Sequence, residues 1–329
     1  MVNKRYILRR FALMVTSLFI VISVLFVLFR LVPGDPMATV QDPRMSPEVQ
    51  EQVVEMYGLD EPLWQQYLLY MFNVIQLDFG VSYYYGRPVT GIVGDRLVNT
   101  LSLMLTAYVI SYSIGTYLGA HMGWLRGSQL ERIEMILVLF CRSMPVFWVG
   151  MVALYLFAFQ LELFPLGGMR GVTATYDSQF EKFLSLDFLY HLVLPVFSLS
   201  LFYTGLPLLL MRNNVLEVLT QDYIETAEAK GLSERRIVIW HAARNAILPV
   251  VTAFAIAIGF AIGGQVLIET VFSWPGLGRE MVDASLRSDY PLAQATFFIL
   301  SAIVITMNFF ADLAYTYLDP RVKLGGEQQ

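Results

Sequence analysis

Six long stretches of apolar residues constrain this chain more than any other feature of its sequence. Each is long enough to cross about 30 Å of hydrocarbon as an α-helix. Only 15% of the residues are charged, against about 25% in soluble domains, so the chain cannot cover a water-facing surface. The sequence therefore predicts an all-α, polytopic membrane protein with about six transmembrane helices. The stretches cover approximately residues 11–29, 99–123, 133–159, 189–211, 247–268 and 294–318.

The first stretch is expected to remain in the membrane as an anchor. It follows a basic start, Lys4 to Arg10, as a signal peptide would. Its apolar run from Phe11 to Phe29 is longer than a typical signal-peptide core, however. The run is followed by Arg30 and by Pro33-Gly34-Asp35-Pro36, not by a small-residue cleavage site.

The distribution of basic residues predicts that both termini lie in the cytoplasm. The chain itself is expected in the inner or plasma membrane of the cell. With the N-terminus inside, the inner segments carry 13 Lys and Arg residues and the outer segments 8, which is the bias expected for cytoplasmic loops. The acidic residues fall mainly on the opposite, external side. The predicted organisation is an N-terminus with the first span (1–30), an external region (31–98), a transmembrane core (99–318) and a cytoplasmic tail (319–329).

The external region 31–98 is too long for a simple connection. The sequence predicts a short helix over Glu48–Met56, a turn at Tyr57-Gly58-Leu59-Asp60, and a second helix over 63–77 that ends at Asp78-Phe79-Gly80. Two interpretations are open for this region. It shields helix ends, or it is a docking or gating surface for a delivered substrate.

The longest predicted cytoplasmic loop, 212–249, has the pattern of two short helices separated by a glycine. Asp222 followed by Glu225 resembles a capping box at the start of the first helix. Lys230 and Gly231 are typical of a helix end. A second helix is predicted from Ser233 to about Asn245.

Small side chains in the first of these helices, Ala227 and Ala229, would allow close approach of another protein, with the neighbouring charges setting the register. The alternative interpretation is an amphipathic helix lying on anionic lipid, because basic residues also suit that surface. Composition alone does not separate the two interpretations.

The same loop carries a resemblance to a known family. The residues are Glu225, Thr226, Ala227, Glu228, Ala229, Lys230, Gly231 and Leu232, followed by His241-Ala242-Ala243-Arg244-Asn245-Ala246-Ile247-Leu248-Pro249. This sequence resembles the EAA loop of ATP-binding-cassette importer permeases, and more narrowly that of the dipeptide, oligopeptide and nickel permeases. Thr226 replaces the usual alanine and Leu248-Pro249 lies further from the glycine, as in the peptide branch.

Further motifs of that family occur along nearly the whole chain in the same order. They are Leu31-Val32-Pro33-Gly34-Asp35-Pro36, Tyr57-Gly58-Leu59-Asp60, Asp78-Phe79-Gly80, Ser143-Met144-Pro145-Val146-Phe147, Pro275-Gly276-Leu277-Gly278 and Asp312 to Asp319-Pro320-Arg321. Each motif is weak alone, and the order and spacing carry the resemblance. The long first external region is similar to that of the first of the two permeases in such systems.

The resemblance implies the transmembrane domain of a type I importer, forming half of a translocation pathway for di- or oligopeptides. It implies a second homologous permease, two ATPase subunits that dock on residues 225–232, an extracytoplasmic substrate-binding protein and membrane lipid as partners. ATP and Mg would be bound by the ATPase subunits, so this chain would hold no cofactor and would not be an enzyme. Glutathione and nickel chelates are alternative cargoes.

The residues themselves agree with a non-catalytic chain that has no metal site, and no nucleic-acid partner is expected. There is no Gly-x-x-x-x-Gly-Lys-Ser/Thr phosphate loop. The single cysteine, Cys141, excludes an internal disulfide, and the three histidines show no metal-ligand spacing.

A second group of polar residues lies within the predicted spans. Intramembrane charges usually face the protein interior and are paired. Arg142 could pair with Glu134 or with Asp312, and the group either lines a pathway or clamps helices together. The candidates are Arg142, Ser143, Met144, Asn308 and Asp312.

Three rival classes are weighed against the permease. An ion-coupled secondary transporter would show inverted repeats and several paired intramembrane charges, and neither is evident. A membrane-embedded enzyme would need convergent polar groups in neighbouring spans. Hydropathy does not exclude a bare scaffold protein. The helix pair predicted within 222–249 distinguishes a permease from all three rival classes.

Overall fold

A computed structural model of the chain describes residues 4–31, 60–171, 179–261, 263 and 265–318. These residues form helices and turns, with one isolated antiparallel bridge between Val81 and Pro88. The fold is all-α, as predicted. The predicted helix at 48–56, the turn at Gly58 and the tail 319–329 lie outside the described residues.

The described helices are numbered here in chain order. They are α1 (Lys4–Leu31), α2 (Leu63–Ile75), α3 (Val89–Trp124), α4 (Gln129–Ser143), α5 (Val146–Ala153, continued as a π-helix over Leu154–Gln160), α6 (Gln179–Leu184), α7 (Leu186–Tyr203), α8 (Gly205–Val218), α9 (Asp222–Ala229), α10 (Glu234–Ala246), α11 (Leu248–Ala261), α12 (Val266–Val271), α13 (Leu277–Leu286) and α14 (Tyr290–Leu318).

Four of these helices, α1, α3, α7 and α14, are each long and apolar enough to cross a membrane. Two bent pairs, α4 with α5 and α10 with α11, raise the number to six if each pair is one span. The chain is therefore a polytopic membrane protein. The second predicted helix of the external region is also present, as α2.

The third predicted span is not one continuous helix, which corrects the prediction for 133–159. Helices α4 and α5 meet at an angle of 94°. Met144 adopts an extended conformation (φ −77°, ψ 137°) and Pro145 precedes the first residue of α5. Proline lacks a backbone N–H and disfavours the helical conformation in the residue before it, which explains the break.

The fourth and fifth predicted spans are also divided. The stretch 189–211 comprises most of α7 and the beginning of α8, which continues to Val218. The stretch 247–268 comprises α11, which ends at Ala261, and the start of α12. Hydropathy does not detect such breaks, because a break leaves the apolar composition unchanged.

The chain divides into two compact units, of which the first comprises residues 1–99, 262–264 and 276–329. Its core is an apolar cluster with members from α1, α2, α13, α14 and the start of α3. Within this unit, the Asp289 carboxylate accepts hydrogen bonds from Ser82 Oγ and from the backbone N–H groups of Tyr83 and Tyr84. Glu280, which is buried, pairs with Arg96 at 2.7 Å.

The second unit comprises residues 100–261 and 265–275. Its core cluster runs from Leu103 to Trp274 and includes side chains of α9 and α10. Helix α3 approaches α8 closely through Gly115, Gly119 and Gly123, which are spaced one turn apart. A Cβ atom built on Gly119 would lie 2.4 Å from the carbonyl oxygen of Leu208 in α8.

Candidate functional site

Helix α9, the first of the predicted pair, runs over Asp222–Ala229, close to the start at Asp222 and the end at Lys230 that the sequence predicts. Its first residue is Asp222 and its N-cap is Gln221, whose side chain makes no capping hydrogen bond. The predicted capping box with Asp222 as the cap is therefore wrong.

At its other end, α9 closes in a Schellman motif. Gly231 has φ +73°, a left-handed conformation that glycine adopts without strain. The Gly231 N–H donates to the carbonyl of Glu228 at 2.8 Å, and the Leu232 N–H donates to the carbonyl of Ala227 at 3.3 Å. This confirms the glycine stop predicted at this position.

Helix α10, the second of the pair, follows Ser233 as predicted. It runs over Glu234–Ala246 and includes a π-helical stretch, Ile237–Ala242. π-Helical turns within α-helices are rare, and those that occur are often at functional positions. The residue pattern did not predict this distortion, because a π-helical turn adds one residue to a turn without a distinct composition.

The two helices are packed against each other by their inner faces. Ile224 and Ala227 of α9 are 1% and 5% exposed and belong to the same apolar cluster as Ile237 and Val238 of α10. Asn245 Nδ2 of α10 donates a hydrogen bond to the Tyr223 hydroxyl of α9 at 2.8 Å. The α9–α10 pair is therefore a single packed element.

The outward face of α9 is polar except for one small residue. Asp222, Glu225, Thr226 and Ala229 are exposed and lie on the side of the helix opposite Ile224 and Ala227. The prediction that a small side chain allows close approach of another protein therefore still applies to Ala229. It is wrong for Ala227, which is buried within this chain.

The remaining predicted contact residues also lie at the surface of the pair. Glu228, Lys230 and Gly231 are exposed, and Leu232 is half-buried against the apolar cluster. Arg235 and Arg236 of α10 are exposed as well. The pair thus presents acidic side chains on α9 and basic side chains on α10, an arrangement that can fix the register of a docked protein.

The helix pair is attached to α8 by polar contacts. Asn214 Nδ2 donates to the carbonyl of Ala246 at the end of α10, at 3.2 Å. Arg212 Nε donates to Glu131 Oε1 of α4 at 2.8 Å, and the Glu131 Oε2 atom accepts the Gly127 N–H at 2.6 Å. The first bond holds the end of α10 against α8, and the other two join α8 to α4 and α4 to the turn before it.

The Glu131–Arg212 pair was not predicted from the sequence. A signal was available, because each residue lies next to the end of a predicted span on the predicted cytoplasmic side. The Glu131 side chain is 10% exposed and the Arg212 side chain 24%. Opposite charges at such span ends can meet only if the helices are neighbours, which the sequence does not show.

The residues of the second candidate group are not brought together within either unit. Glu134 pairs with His121 at 3.2 Å, and Asp312 pairs with Arg10 of α1 at 2.9 Å. Both partners suggested for Arg142 are therefore engaged elsewhere. Within the described part of the chain Arg142 makes no ion pair, and its aliphatic stem packs at Gly205. For Asp312, the geometry supports the helix-clamp interpretation.

The other members of this group lie at exposed or half-buried positions. Ser143 Oγ donates to the carbonyl of Phe140 at 2.8 Å and thereby helps to end α4. Met144 is half-buried at the break, and Asn308 is exposed on α14. Among the described residues, no group of three or more His, Cys, Asp or Glu side chains could hold a metal ion.

An open cavity of about 460 Å³ lies in the second unit between α3 and α11. Its walls are almost entirely apolar, and the α3 side is formed by Tyr112, Ser113, Thr116 and Tyr117. The sequence did not predict this surface, because none of its lining residues is charged. The remaining lining residues are Val109, Ile247, Val250, Val251 and Phe254.

These features define a multi-pass membrane protein with a packed helix pair that has an exposed outward face and that leads into the apolar helix α11. The sequence profile of the family described as "Binding-protein-dependent transport system inner membrane component" matches residues 111–324. The profile for the N-terminal part of such components matches residues 3–104. The chain belongs to this family of transport permeases and is an inner membrane protein.

Individual relatives match over almost their full length. The oligopeptide transport system permease protein AppB of Bacillus subtilis is 36% identical over 319 residues, covering 97% of this chain and 99% of the relative. The dipeptide transport system permease protein DppB of Escherichia coli is 34% identical, covering 97% and 98%. The di/tripeptide transport system permease protein DppB of Pseudomonas aeruginosa is 35% identical, with the same coverage.

Proposed function

We propose that this chain is a permease subunit of an ATP-binding-cassette importer and forms half of a translocation pathway for di- and oligopeptides. The observation that carries the proposal is the α9–α10 pair: a rigid, exposed element with a polar outer face, in a chain of the binding-protein-dependent transport family. The peptide cargo rests on the names of the relatives, which are dipeptide, di/tripeptide and oligopeptide permeases.

The proposed partners follow from the family and from the surface of the pair. Two ATPase subunits bind ATP and Mg, and one of them docks on the outward face of α9, which includes Glu225 and Ala229. A second homologous permease completes the pathway, and an extracytoplasmic binding protein delivers the cargo. In this proposal the chain itself is not catalytic, and both of its termini lie in the cytoplasm.

The contacts within the chain support a mechanical role for the pair. Because Ala227 and Ile224 are buried against α10, a force on α9 moves both helices together. The Asn214–Ala246 and Arg212–Glu131 contacts transmit that movement to α8 and α4. Rigid-body movement of packed elements is a common means of alternating access in transporters. ATP-driven closure of the ATPase subunits would thereby change the openings of the pathway.

The test compares transport in the assembled complex with and without a bulky residue at Gly231. A Cβ atom at Gly231 meets nothing within 4 Å, so the side chain of Gly231→Trp points away from this chain. We expect this variant to insert normally into the membrane and to lose uptake of radiolabelled dipeptide. Its matched control is Gly86→Trp, another glycine with positive φ and an empty surrounding, placed in the turn between Ser82 and Val89 and away from the helix pair.

The charge reversal Glu225→Lys tests the same surface by a different physical change. We expect loss of uptake and of co-purification with the ATPase subunits, because an acidic contact becomes basic. The control is Glu217→Lys, which makes the same reversal at an exposed position of α8. Normal uptake by both Gly231→Trp and Glu225→Lys would refute the docking role, and uptake of nickel chelates or glutathione without dipeptides would refute the cargo.

A further inference from the structure

Helix α2 (Leu63–Ile75) contains no charged residue, and one of its faces packs on α1. The Tyr67 hydroxyl and Ser23 Oγ are hydrogen-bonded at 2.7 Å. The Phe26 ring of α1 contacts the rings of Tyr67 and Tyr70 at centroid distances of 5.2 and 5.8 Å. Tyr70 and Val74 are 5% and 2% exposed. This face is a regular helix–helix contact within the first unit.

The opposite face of α2 is apolar and uncovered. Trp64, Leu68, Phe72 and Ile75 are 63%, 55%, 61% and 71% exposed. At 100° per residue these four positions fall within an arc of about 80°. A continuous row of large apolar side chains on a protein surface indicates contact with another molecule or with a membrane.

The depth of α2 follows from the α1 residues that it contacts. Helix α1 is apolar and long enough to span a membrane, and its apolar run ends at the charged residue Arg30. Phe26 and Ser23 lie four and seven residues before Arg30, which corresponds to about 6 and 10 Å along the helix axis. The contact with α2 is therefore at the level of the hydrocarbon, which is about 30 Å thick.

The surface of α1 beside this contact supports the same conclusion. Val24 and Leu28 of α1 are 55% and 50% exposed at the same level of the helix, as side chains that face acyl chains on a spanning helix would be. The apolar face of α2 lies at the same level as this lipid-facing surface. The complete lack of charge in α2 also distinguishes it from a helix that lies in water, where one face is normally polar.

We propose that α2 is embedded in the membrane leaflet that contains the C-terminal end of α1, with Trp64, Leu68, Phe72 and Ile75 against lipid acyl chains. The helix does not span the bilayer, since its 13 residues extend only about 20 Å. It holds the part of the chain around residues 60–80 at the membrane surface as an additional anchor. The occupant of its outer face is lipid, and the inference is independent of the transported cargo.

The experiment measures the surroundings of α2 in the full chain by electron paramagnetic resonance. The background is Cys141→Ser, reconstituted in nanodiscs of phosphatidylethanolamine and phosphatidylglycerol. Nitroxide labels are placed on Leu68→Cys and Phe72→Cys, on Val24→Cys as the lipid-facing reference, and on Glu61→Cys as the water-facing reference. All four native side chains are exposed, so labelling leaves the packing of the core unchanged.

The readout is the ratio of relaxation by oxygen, which concentrates in lipid, to relaxation by a water-soluble nickel chelate. We expect Leu68 and Phe72 to match Val24 and to lie several-fold above Glu61. A ratio equal to that of Glu61 would show a water-facing helix and overturn the proposal. Low accessibility to both reagents would show a protein-covered face and would overturn it as well.

A second measurement guards against misfolded label variants. Each preparation is first checked for a single size-exclusion peak. If the helix is embedded, the fluorescence of a bimane label on Phe72→Cys is quenched by phospholipids that are brominated along their acyl chains. Unquenched bimane in a monodisperse sample would contradict the proposal. Loss of peptide transport with unchanged quenching would concern the proposed function alone, so the two failures are distinguishable.

Discussion

At the scale of single residues, the most constrained position of the helix pair is Gly231. Its φ of +73° lies in the left-handed region, and open space surrounds the position of a Cβ atom. The constraint is therefore conformational and not steric. Substitutions at Gly231 therefore separate two effects, the strain of the backbone and the size of the side chain.

The first prediction uses this separation. Gly231→Ala should destabilise the closure of α9 by about 1 kcal/mol, and Gly231→Asn by less, because asparagine tolerates the left-handed conformation better. Hydrogen exchange of the amides of Gly231 and Leu232, which close the Schellman motif, measures the change. Equal exchange in wild type and Gly231→Ala would show that the left-handed conformation is not maintained.

The second prediction concerns the Glu131–Arg212 pair. Removing the guanidinium in Arg212→Met leaves a nearly buried carboxylate without its charged partner, and breaking such pairs costs about 3 kcal/mol. We expect a lower thermal unfolding midpoint in detergent for Arg212→Met. The double variant Glu131→Gln with Arg212→Met should recover part of the loss, since no unpaired charge remains. Additive losses in the double variant would contradict this account.

At the scale of elements, the close contact of α3 with α8 determines where the helix pair is held. Gly115, Gly119 and Gly123 form one stripe on α3, and small residues at one-turn spacing permit close helix packing in membranes. Since α8 leads directly to α9, this contact positions the base of the proposed docking site. The pattern of glycines is visible in the sequence, but the helix that it faces is not.

The third prediction tests this stripe. Gly119→Ala places a methyl group where a Cβ atom lies 2.4 Å from the Leu208 carbonyl oxygen and 2.8 Å from Met211 Cβ. The two helices must separate, which costs about 2 kcal/mol. The matched control is Gly94→Ala in the same helix, where nothing lies within 4 Å of the added atom. The control should be neutral or slightly stabilising, because alanine favours the helix. Thermal unfolding in detergent measures both, and equal midpoints would contradict the packing argument.

The two prolines at 145 and 195 show how far the elements could be predicted from the sequence. Pro145 ends a helix and changes its direction by 94°, whereas Pro195 lies inside α7, buried, without interrupting it. Both remove one backbone hydrogen bond. The outcome depends on the packing of neighbouring helices, which a single sequence does not contain. Local signals such as Gly231 succeeded because the backbone conformation they determine is itself local.

The candidate site was predictable to the same extent. The position of the helix pair and its glycine stop followed from sequence spacing, and its likeness to permease loops followed from residues 225–232. The inward direction of Ala227, the π-helical stretch in α10 and the Glu131–Arg212 contact did not. Each of these depends on a partner that is distant in the sequence and becomes a neighbour only after folding.

At the scale of the whole molecule, the bend between α4 and α5 decides the topology. If the pair crosses the membrane once, residues 161–171 lie on the external side and the α9–α10 pair lies on the cytoplasmic side. If the pair returns to the side from which it entered, all later segments are inverted. The excess of Lys and Arg in the predicted inner segments, 13 against 8, favours the single crossing.

The fourth prediction follows from this bias and is tested in a Cys141→Ser background. Leu166→Cys and Ser233→Cys place single thiols at exposed positions on the two sides of α7 and α8. We expect a membrane-impermeant maleimide to label Leu166→Cys in intact cells whose outer barrier has been removed, and Ser233→Cys only after permeabilisation. The reverse pattern would mean that α4 and α5 form a re-entrant hairpin. The proposed ATPase-docking face of α9 would then lie outside the cell, where no ATP-driven subunit could reach it, so this result would refute the proposed function together with the topology.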